Sequence, residues 1–112
     1  QVRGDRLFTN VLRRGAQDKT APAFAARAYP NPFNPRTTIA WELPRAGELA
    51  IRIYDVRGRH VVELRRGPAP AGPGTAAWEG RDRSGRRVRA GLYFARLESD
   101  VGTRVVKMTL VK

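Results

Sequence analysis

Side chains able to carry covalent or metal chemistry are few in this chain of 112 residues, which has no Cys and a single His, His60. A cysteine nucleophile, a thiolate-ligated zinc or iron–sulfur site and a His-rich metal site are therefore excluded. Asp55 and Asp82 could form a carboxylate pair, but nothing in their spacing supports acid–base catalysis. We expect no enzymatic activity, no metal and no cofactor.

Asp55 and Asp82 open two copies of one pattern, Asp-x-x-Gly-Arg, each followed shortly by a Val and a predicted strand. A carboxylate at this position accepts hydrogen bonds from the backbone N–H groups of a tight turn, and Gly adopts the positive φ that such a turn needs. A calcium loop would need further acidic ligands, which neither copy carries. The pattern therefore predicts two hairpin turns, with Gly58 and Gly85 as their glycines.

Positive charge dominates the composition, because 22 Lys and Arg oppose 10 Asp and Glu and give a net charge of +12. An anionic partner and Arg-rich codon usage both explain this excess. Nucleic-acid binding is disfavoured, since the basic residues are spread through turns and both faces of the predicted strands without a stacking platform. Non-specific polyanion binding is kept as a further alternative function, with anionic lipopolysaccharide at a bacterial surface fitting better than nucleic acid.

The length allows one domain, and a hydrophobic content of 41% is typical of a folded one. No stretch approaches the roughly 18 apolar residues of a membrane-spanning helix, and the first residues lack the apolar segment of a signal peptide. We expect a soluble chain that is mature or excised. Residues 1–28 are predicted to form an N-terminal arm or linker. Its small apolar group fits either a helical turn or a short strand, and consists of Leu7, Phe8, Val11 and Leu12.

From residue 29 to residue 112, short runs of alternating hydrophobicity are separated by Gly, Pro and Asp. This spacing predicts an all-β, immunoglobulin-like antiparallel sandwich of about seven strands. The predicted strands include 37–43, 49–55, 61–64 with a bulge, 75–78, 91–98 and 103–111, whereas the Pro- and Gly-rich residues 67–74 are predicted to be a loop. The predicted core comprises Ile39, Trp41, Leu43, Leu49, Ile51, Ile53, Trp78, Tyr93, Leu97, Val106, Met108 and Leu110.

Six short motifs occur in order along this part of the chain. They are YPNPFNP at 29–35, TTI at 37–39, IYDVRGR at 53–59, WEGRD at 78–82, GLYF at 91–94 and KM at 107–108. Each motif alone is weak, but together they resemble the C-terminal sorting domain of the type IX secretion system. They are equally similar to the related immunoglobulin-like domain of the flagellar hook-capping protein. The resemblance covers residues 29–112.

The resemblance implies a non-catalytic domain that the outer-membrane translocon recognises, carried by a secreted or surface protein of a bacterium for sorting and attachment. The implied recognition residues are Pro30, Asn31, Pro32, Gly58, Arg59, Gly91, Tyr93, Lys107 and Lys112. For the glycines and Tyr93, backbone geometry and core packing are the favoured explanation. For Lys107 and Lys112, a role in recognition is favoured.

The outward faces of three predicted strands form a second candidate surface, provided that 49–55, 91–98 and 103–111 share one sheet. It would contain Arg52, Tyr54, Phe94, Arg96, Val105 and Lys107. Aromatic residues mixed with Arg are typical of protein–protein contact surfaces. The arm could also add as a strand to a neighbouring copy. These features predict an alternative function, a structural subunit of an extracellular assembly or filament.

Overall fold

The computed structural model describes residues 23–112, so the apolar residues of the predicted arm, Leu7, Phe8, Val11 and Leu12, lie outside the described part. The strands are β1 (Ala25–Tyr29), β2 (Thr37–Leu43), β3 (Gly47–Asp55), β4 (His60–Ala69), β5 (Gly72–Trp78), β6 (Gly91–Ser99) and β7 (Gly102–Leu110). They form two antiparallel sheets, β1-β2-β5 and β4-β3-β6-β7. The predicted all-β, immunoglobulin-like sandwich is confirmed. No helix long and apolar enough to cross a membrane occurs between residues 23 and 112.

The core lies between the two sheets because each strand buries alternate side chains. Strand β3 shows the pattern most clearly, since Leu49, Ile51 and Ile53 have no exposed surface. Of the twelve predicted core residues, all but Val106 are buried, and Val106 packs half-buried against the cluster. Four further buried residues join this core, namely Phe24, Phe33, Ala69 and Ala95.

The prediction of a loop over residues 67–74 is wrong, because β4 continues to Ala69 and β5 begins at Gly72. Pro68 pairs with Glu48, and Pro73 pairs with Glu42. Both prolines lie on strands at the edge of a sheet, where a missing N–H group can point away from the neighbouring strand. The Pro and Gly content therefore marks edge strands at this point, and only two residues connect them.

The strand that begins at His60 contains two bulges, where the sequence predicted one. The pairing of β3 with β4 shifts between Ile51 and Arg52 and again between Ile53 and Tyr54. Each shift gives β4 one extra residue, which increases its local twist. The strand is therefore longer than predicted, and its apolar residues still pack against the core.

Strand β1 includes four residues that the sequence assigned to the arm. It pairs with β2 over its whole length, from Ala25 opposite Glu42 to Tyr29 opposite Thr38. Arg104 of β7 donates a hydrogen bond of 2.8 Å to the carbonyl oxygen of Phe24, which ties the start of the described chain to the other sheet.

The third strand of this sheet, β5, approaches β2 closely at one position. Gly74 lies opposite Trp41, and a Cβ atom added to Gly74 would overlap the indole ring of Trp41. Trp41 is buried, so its ring has little room to move away. Glycine at position 74 is therefore needed for the packing of the three-stranded sheet.

Candidate functional site

Eight of the nine residues implied in recognition lie in the connections at one end of the sandwich or in the first three positions of β6, because the strands alternate in direction. The ninth, Lys107, lies within β7, three residues before its end. Strands β1, β3, β5 and β7 finish at this end of the sandwich, and β2, β4 and β6 begin there. We call this the motif end and define it by its connections, residues 30–36, 56–59, 79–90 and 111–112. The fold thus brings together residues that are spread along the sequence from Pro30 to Lys112.

The segment after β1 lies along the outer edge of β7. The side chain of Asn31 donates to the carbonyl oxygen of Lys107 at 2.8 Å and accepts from the N–H of Thr109 at 3.0 Å. The backbone of Phe33 continues the pairing, with its N–H donating to the Thr109 oxygen and its carbonyl accepting from the Val111 N–H, both at 2.9 Å. Asn31 and Phe33 therefore satisfy the edge of β7 over 107–111 and protect it from pairing with another chain.

A cluster of three aromatic rings lies directly beneath this segment. Phe33 is only 2% exposed, and its ring centroid is 5.6 Å from that of Trp78, which is 5.2 Å from that of Tyr93. The indole N–H of Trp78 donates to the Arg81 carbonyl at 2.9 Å, and the Tyr93 hydroxyl donates to the Arg89 carbonyl at 2.7 Å. Burial raises the pKa of Tyr93. The structure therefore places Tyr93 in the core, where it anchors the connection between β5 and β6.

The turn between β3 and β4 has the hydrogen bonds that the sequence predicted. One carboxylate oxygen of Asp55 accepts from the backbone N–H groups of Arg57 and Arg59, both at 2.9 Å. The other oxygen pairs with the Arg59 guanidinium at 3.0 Å. Gly58 has φ +81°, which a side chain would disfavour. Asp55 therefore determines the shape of this turn.

The second Asp-x-x-Gly-Arg copy has the same geometry. Asp82 accepts from the N–H of Ser84 at 2.9 Å and of Arg86 at 3.1 Å, and Gly85 has φ +89°. The prediction that it connects two strands of a hairpin is wrong, because β5 and β6 belong to different sheets. Instead, a bridge between Arg81 and Arg87 closes a small loop inside the 79–90 connection. The repeated pattern determines the shape of the turn, but it does not determine which strands pair on either side of it.

These two turns lie side by side and enclose a cleft of about 440 Å³. The N–H of Arg83 donates to the Val61 carbonyl at 3.2 Å and joins the second turn to β4. The cleft is lined by residues of both turns and of the adjoining strands, including Asp55, Arg59, His60, Asp82, Arg83 and Arg89. Sequence reasoning did not find this cleft, although the repeated pattern was the available signal.

The carboxylates in the cleft are poorly suited to acid–base catalysis. The backbone N–H of Arg59 is the largest influence lowering the pKa of Asp55, and the Ser84 hydroxyl has the same role for Asp82. A general acid needs a raised pKa, so both groups are shifted in the opposite direction. Among the described residues, no group of three His, Cys, Asp or Glu side chains could hold a metal ion.

Positive charge is concentrated at the motif end, whereas the sequence indicated basic residues spread through turns and both faces of the sheets. Its connections hold two acidic and nine basic residues, a net charge of +7, and all nine basic residues are exposed. They are Arg36, Arg57, Arg59, Arg81, Arg83, Arg86, Arg87, Arg89 and Lys112. The connections at the opposite end hold one basic and one acidic residue, Arg45 and Asp100, and have no net charge.

Few of these cations are neutralised locally. Arg59 pairs with Asp55 at 3.0 Å, and Arg36 pairs with Glu79 at 3.4 Å. Within residues 23–112, the other seven form no ion pair with an acidic side chain. The motif end therefore carries a field that is open to an external anion.

The six residues of the candidate interaction face occupy neighbouring positions on the outer side of β3, β6 and β7. They form two cross-strand rows, Arg52–Arg96–Val105 and Tyr54–Phe94–Lys107. The assumption that these three strands share one sheet is confirmed. Val105 is the most exposed apolar residue of the six, at 60%.

This face is less basic than its sequence suggested. The guanidinium of Arg52 lies 3.1 Å from Glu63 and 2.9 Å from Glu98, and that of Arg96 lies 2.8 Å from Glu98. The paired charges leave an apolar and aromatic strip beside them. The face therefore differs in character from the strongly cationic motif end.

Comparison with known proteins agrees with this architecture. The chain is similar to PorU from Porphyromonas gingivalis in the crystal structure of its dimeric latent form. The two are 20% identical over 96% of this chain, with a TM-score of 0.64. PorZ from the same organism is 20% identical over 78% of the chain with a TM-score of 0.53, and FlgD from P. aeruginosa is 26% identical over 66% with a TM-score of 0.51. The chain spans 10%, 11% and 58% of these three proteins, respectively.

No curated protein sequence matches this chain. The sequence pattern that defines FlgD Ig-like domains, however, matches residues 31–102. This range begins within the segment that docks on β7 and includes β2 through β6. The chain therefore belongs to the family of FlgD Ig-like domains.

Proposed function

We propose that this chain is a non-catalytic sorting and attachment domain, recognised at its motif end by the outer-membrane translocon of the type IX secretion system. The observation that carries the proposal is the convergence, at or next to the motif end, of nine residues from five separate places in the chain. PorZ, one of the structural neighbours, is an essential bacterial surface component of that system. The proposed location of this chain is accordingly extracellular, at the bacterial cell surface.

The contacts separate five of the nine residues into two groups. Asn31, Gly58 and Tyr93 build the fold, through the β7 edge, the first turn and the aromatic cluster. Lys107 and Lys112 are exposed and form no ion pair with another residue in the 23–112 range. The two lysines therefore have the properties of recognition residues, as the sequence favoured.

A reporter-export experiment tests this function. The chain is fused to the C-terminus of a periplasmic reporter in a bacterium with a type IX system, and surface-exposed reporter is measured. We expect the double variant Lys107→Ala, Lys112→Ala to reduce export with an unchanged circular dichroism spectrum. The matched control Arg27→Ala, Arg45→Ala removes two charges elsewhere and is expected to export normally. Normal export of the lysine variant, or no export of the unaltered fusion, would contradict the proposal.

A structural subunit of an extracellular assembly is the second proposed function, favoured by the exposed strip of apolar residues on the β3–β6–β7 face. Val105 is 60% exposed there, next to the half-buried Phe94. Light scattering on the purified chain tests this alternative. A mass above the monomer that falls on Val105→Ser would support it, and a monomer at all concentrations would contradict it.

A further inference from the structure

The cleft between the two Asp-x-x-Gly-Arg turns has a chemistry that the family resemblance leaves unassigned. We propose that it binds an acidic segment of a protein partner, with Asp or Glu carboxylates held by the arginines of the cleft. This inference names the partner chemistry of the motif end and in that respect rests on the proposed function.

The cations of the cleft are available for an incoming carboxylate. Arg83 and Arg89 line it, are exposed and pair with no acidic side chain in the described part of the chain. Its two carboxylates, Asp55 and Asp82, accept backbone N–H groups within their own turns. A guanidinium offers two parallel N–H groups to a planar carboxylate, so arginines in this position fit Asp and Glu side chains.

The cleft is also built on a backbone that is ordered before any partner arrives. Each turn is closed by two backbone hydrogen bonds of 2.9 Å, from the N–H of Asp55 to Arg59 O and of Gly58 to Asp55 O in the first, with equivalent bonds in the second. Because the turns are already closed, binding would order mainly side chains. That reduces the entropy lost on association.

The surroundings favour a protein over a phosphate polyanion. Val56, in the first turn, is 65% exposed. Arginines beside exposed apolar residues are typical of protein–protein interfaces. The carboxylates of Asp55 and Asp82 also repel a continuous row of phosphates more strongly than single carboxylates placed between them.

The charge distribution of residues 23–112 would orient such a partner. The connections of the motif end carry +7 and those of the opposite end carry no net charge, so within the described residues the motif end attracts an acidic segment more strongly. Arg-rich codon usage gives no reason for this separation. The concentration of charge therefore supports selection for an anionic partner.

Fluorescence anisotropy on the purified chain provides the test, with a fluorescein-labelled peptide of six Glu and two Leu as the probe. We expect saturable binding that Arg83→Glu, Arg89→Glu weakens about tenfold or more. The matched control Arg27→Glu, Arg45→Glu makes the same change in net charge elsewhere and is expected to bind nearly as the original chain does. The thermal unfolding midpoints of both variants are compared with that of the original chain. If the Arg83→Glu, Arg89→Glu variant unfolds at a lower temperature, the variant Arg83→Gln, Arg89→Gln is used in its place.

Two results would overturn the inference. Equal weakening by both charge-reversed pairs would show that net charge alone attracts the peptide. Tighter binding of a labelled 20-base-pair DNA duplex than of the peptide, measured in the same buffer, would assign the surface to polyanions. Since the peptide assay needs no secretion machinery, its failure is distinguishable from a failure of reporter export, which depends on Lys107 and Lys112.

Discussion

The side-chain amide of Asn31 donates a hydrogen bond of 2.8 Å to the backbone carbonyl of Lys107, 76 residues further along the chain. The same amide accepts from Thr109, so it replaces the backbone of a neighbouring strand over two residues of β7. The Tyr29–Pro35 motif is thus a structural signature of the domain. Its sequence is explained by the edge that it covers and by the aromatic cluster beneath Phe33.

Replacing Asn31 by Asp should destabilise the domain by about 1 kcal/mol, because a carboxylate cannot donate to the Lys107 carbonyl. The measurement is urea unfolding followed by Trp fluorescence. Asn34→Asp is the matched control, since Asn34 belongs to the same motif and is exposed. Equal shifts in the two variants would assign the effect to added negative charge and contradict a specific role for the amide.

Replacing Phe33 by Ala should cost roughly 3 to 5 kcal/mol in free energy of unfolding, because it removes a fully buried ring from the contact with Trp78. Phe94→Ala removes the same side chain from the half-buried outer face and should cost clearly less. The two unfolding free energies are compared by denaturant titration. A larger loss at Phe94 would mean that the motif contributes little to the core.

Replacing Gly74 by Ala should destabilise the three-stranded sheet by roughly 1 to 3 kcal/mol, since the new methyl group overlaps the buried Trp41 indole. The neighbouring Thr75 is exposed, so Thr75→Ala serves as the control. Thermal unfolding measures the loss of stability, and near-ultraviolet circular dichroism, to which Trp41 contributes, shows whether the packing of the aromatic rings changes. Unchanged stability of the Gly74 variant would show that the ring moves aside without penalty.

Stability should fall in acid because folding lowers the pKa values of Asp55 and Asp82 below their ordinary value of 3.8. Groups of this kind stabilise the fold above the unfolded-state pKa, and that contribution disappears as the pH drops through the folded-state pKa. The double variant Asp55→Asn, Asp82→Asn should therefore be less stable at pH 7 and lose less stability between pH 5 and about pH 2.

Urea midpoints measured across this pH range test the expectation. Asp100→Asn is the control, because the Asp100 carboxylate accepts no hydrogen bond from the described residues. Its curve should run parallel to that of the original chain. A parallel curve for the double variant as well would contradict the role assigned to the two turns.

The strands with one buried face were predictable from the sequence. When only one face of a strand meets the core, the alternation of apolar and polar residues shows which side chains point inward. Ile39, Trp41 and Leu43 in β2 illustrate this, as do Leu49 and Ile53 in β3. The turn chemistry of the two Asp-x-x-Gly-Arg copies was equally predictable, since its hydrogen bonds are local. These features need no knowledge of distant neighbours.

What the sequence missed depends on contacts between distant segments. Phe33 lies in a Pro-rich motif without periodicity, and only docking on β7 buries it. Pro68 and Pro73 indicate a loop when the sequence is taken alone. Their place on edge strands follows only from the order of strands in each sheet. The cleft and the concentration of charge at the motif end have the same origin, since three connections and the chain after β7 meet there only after the sandwich has formed.

The bond from the Val111 N–H to the Phe33 carbonyl also determines when this domain can finish folding. A ribosome makes Phe33 long before Val111, so the partner of the Tyr29–Pro35 segment emerges after the other six strands of the sandwich. Until then the backbone of Phe33 has no strand with which to pair. Proteolytic loss of the residues after Thr109 would remove the Val111 N–H group and leave the Phe33 carbonyl without its β7 partner.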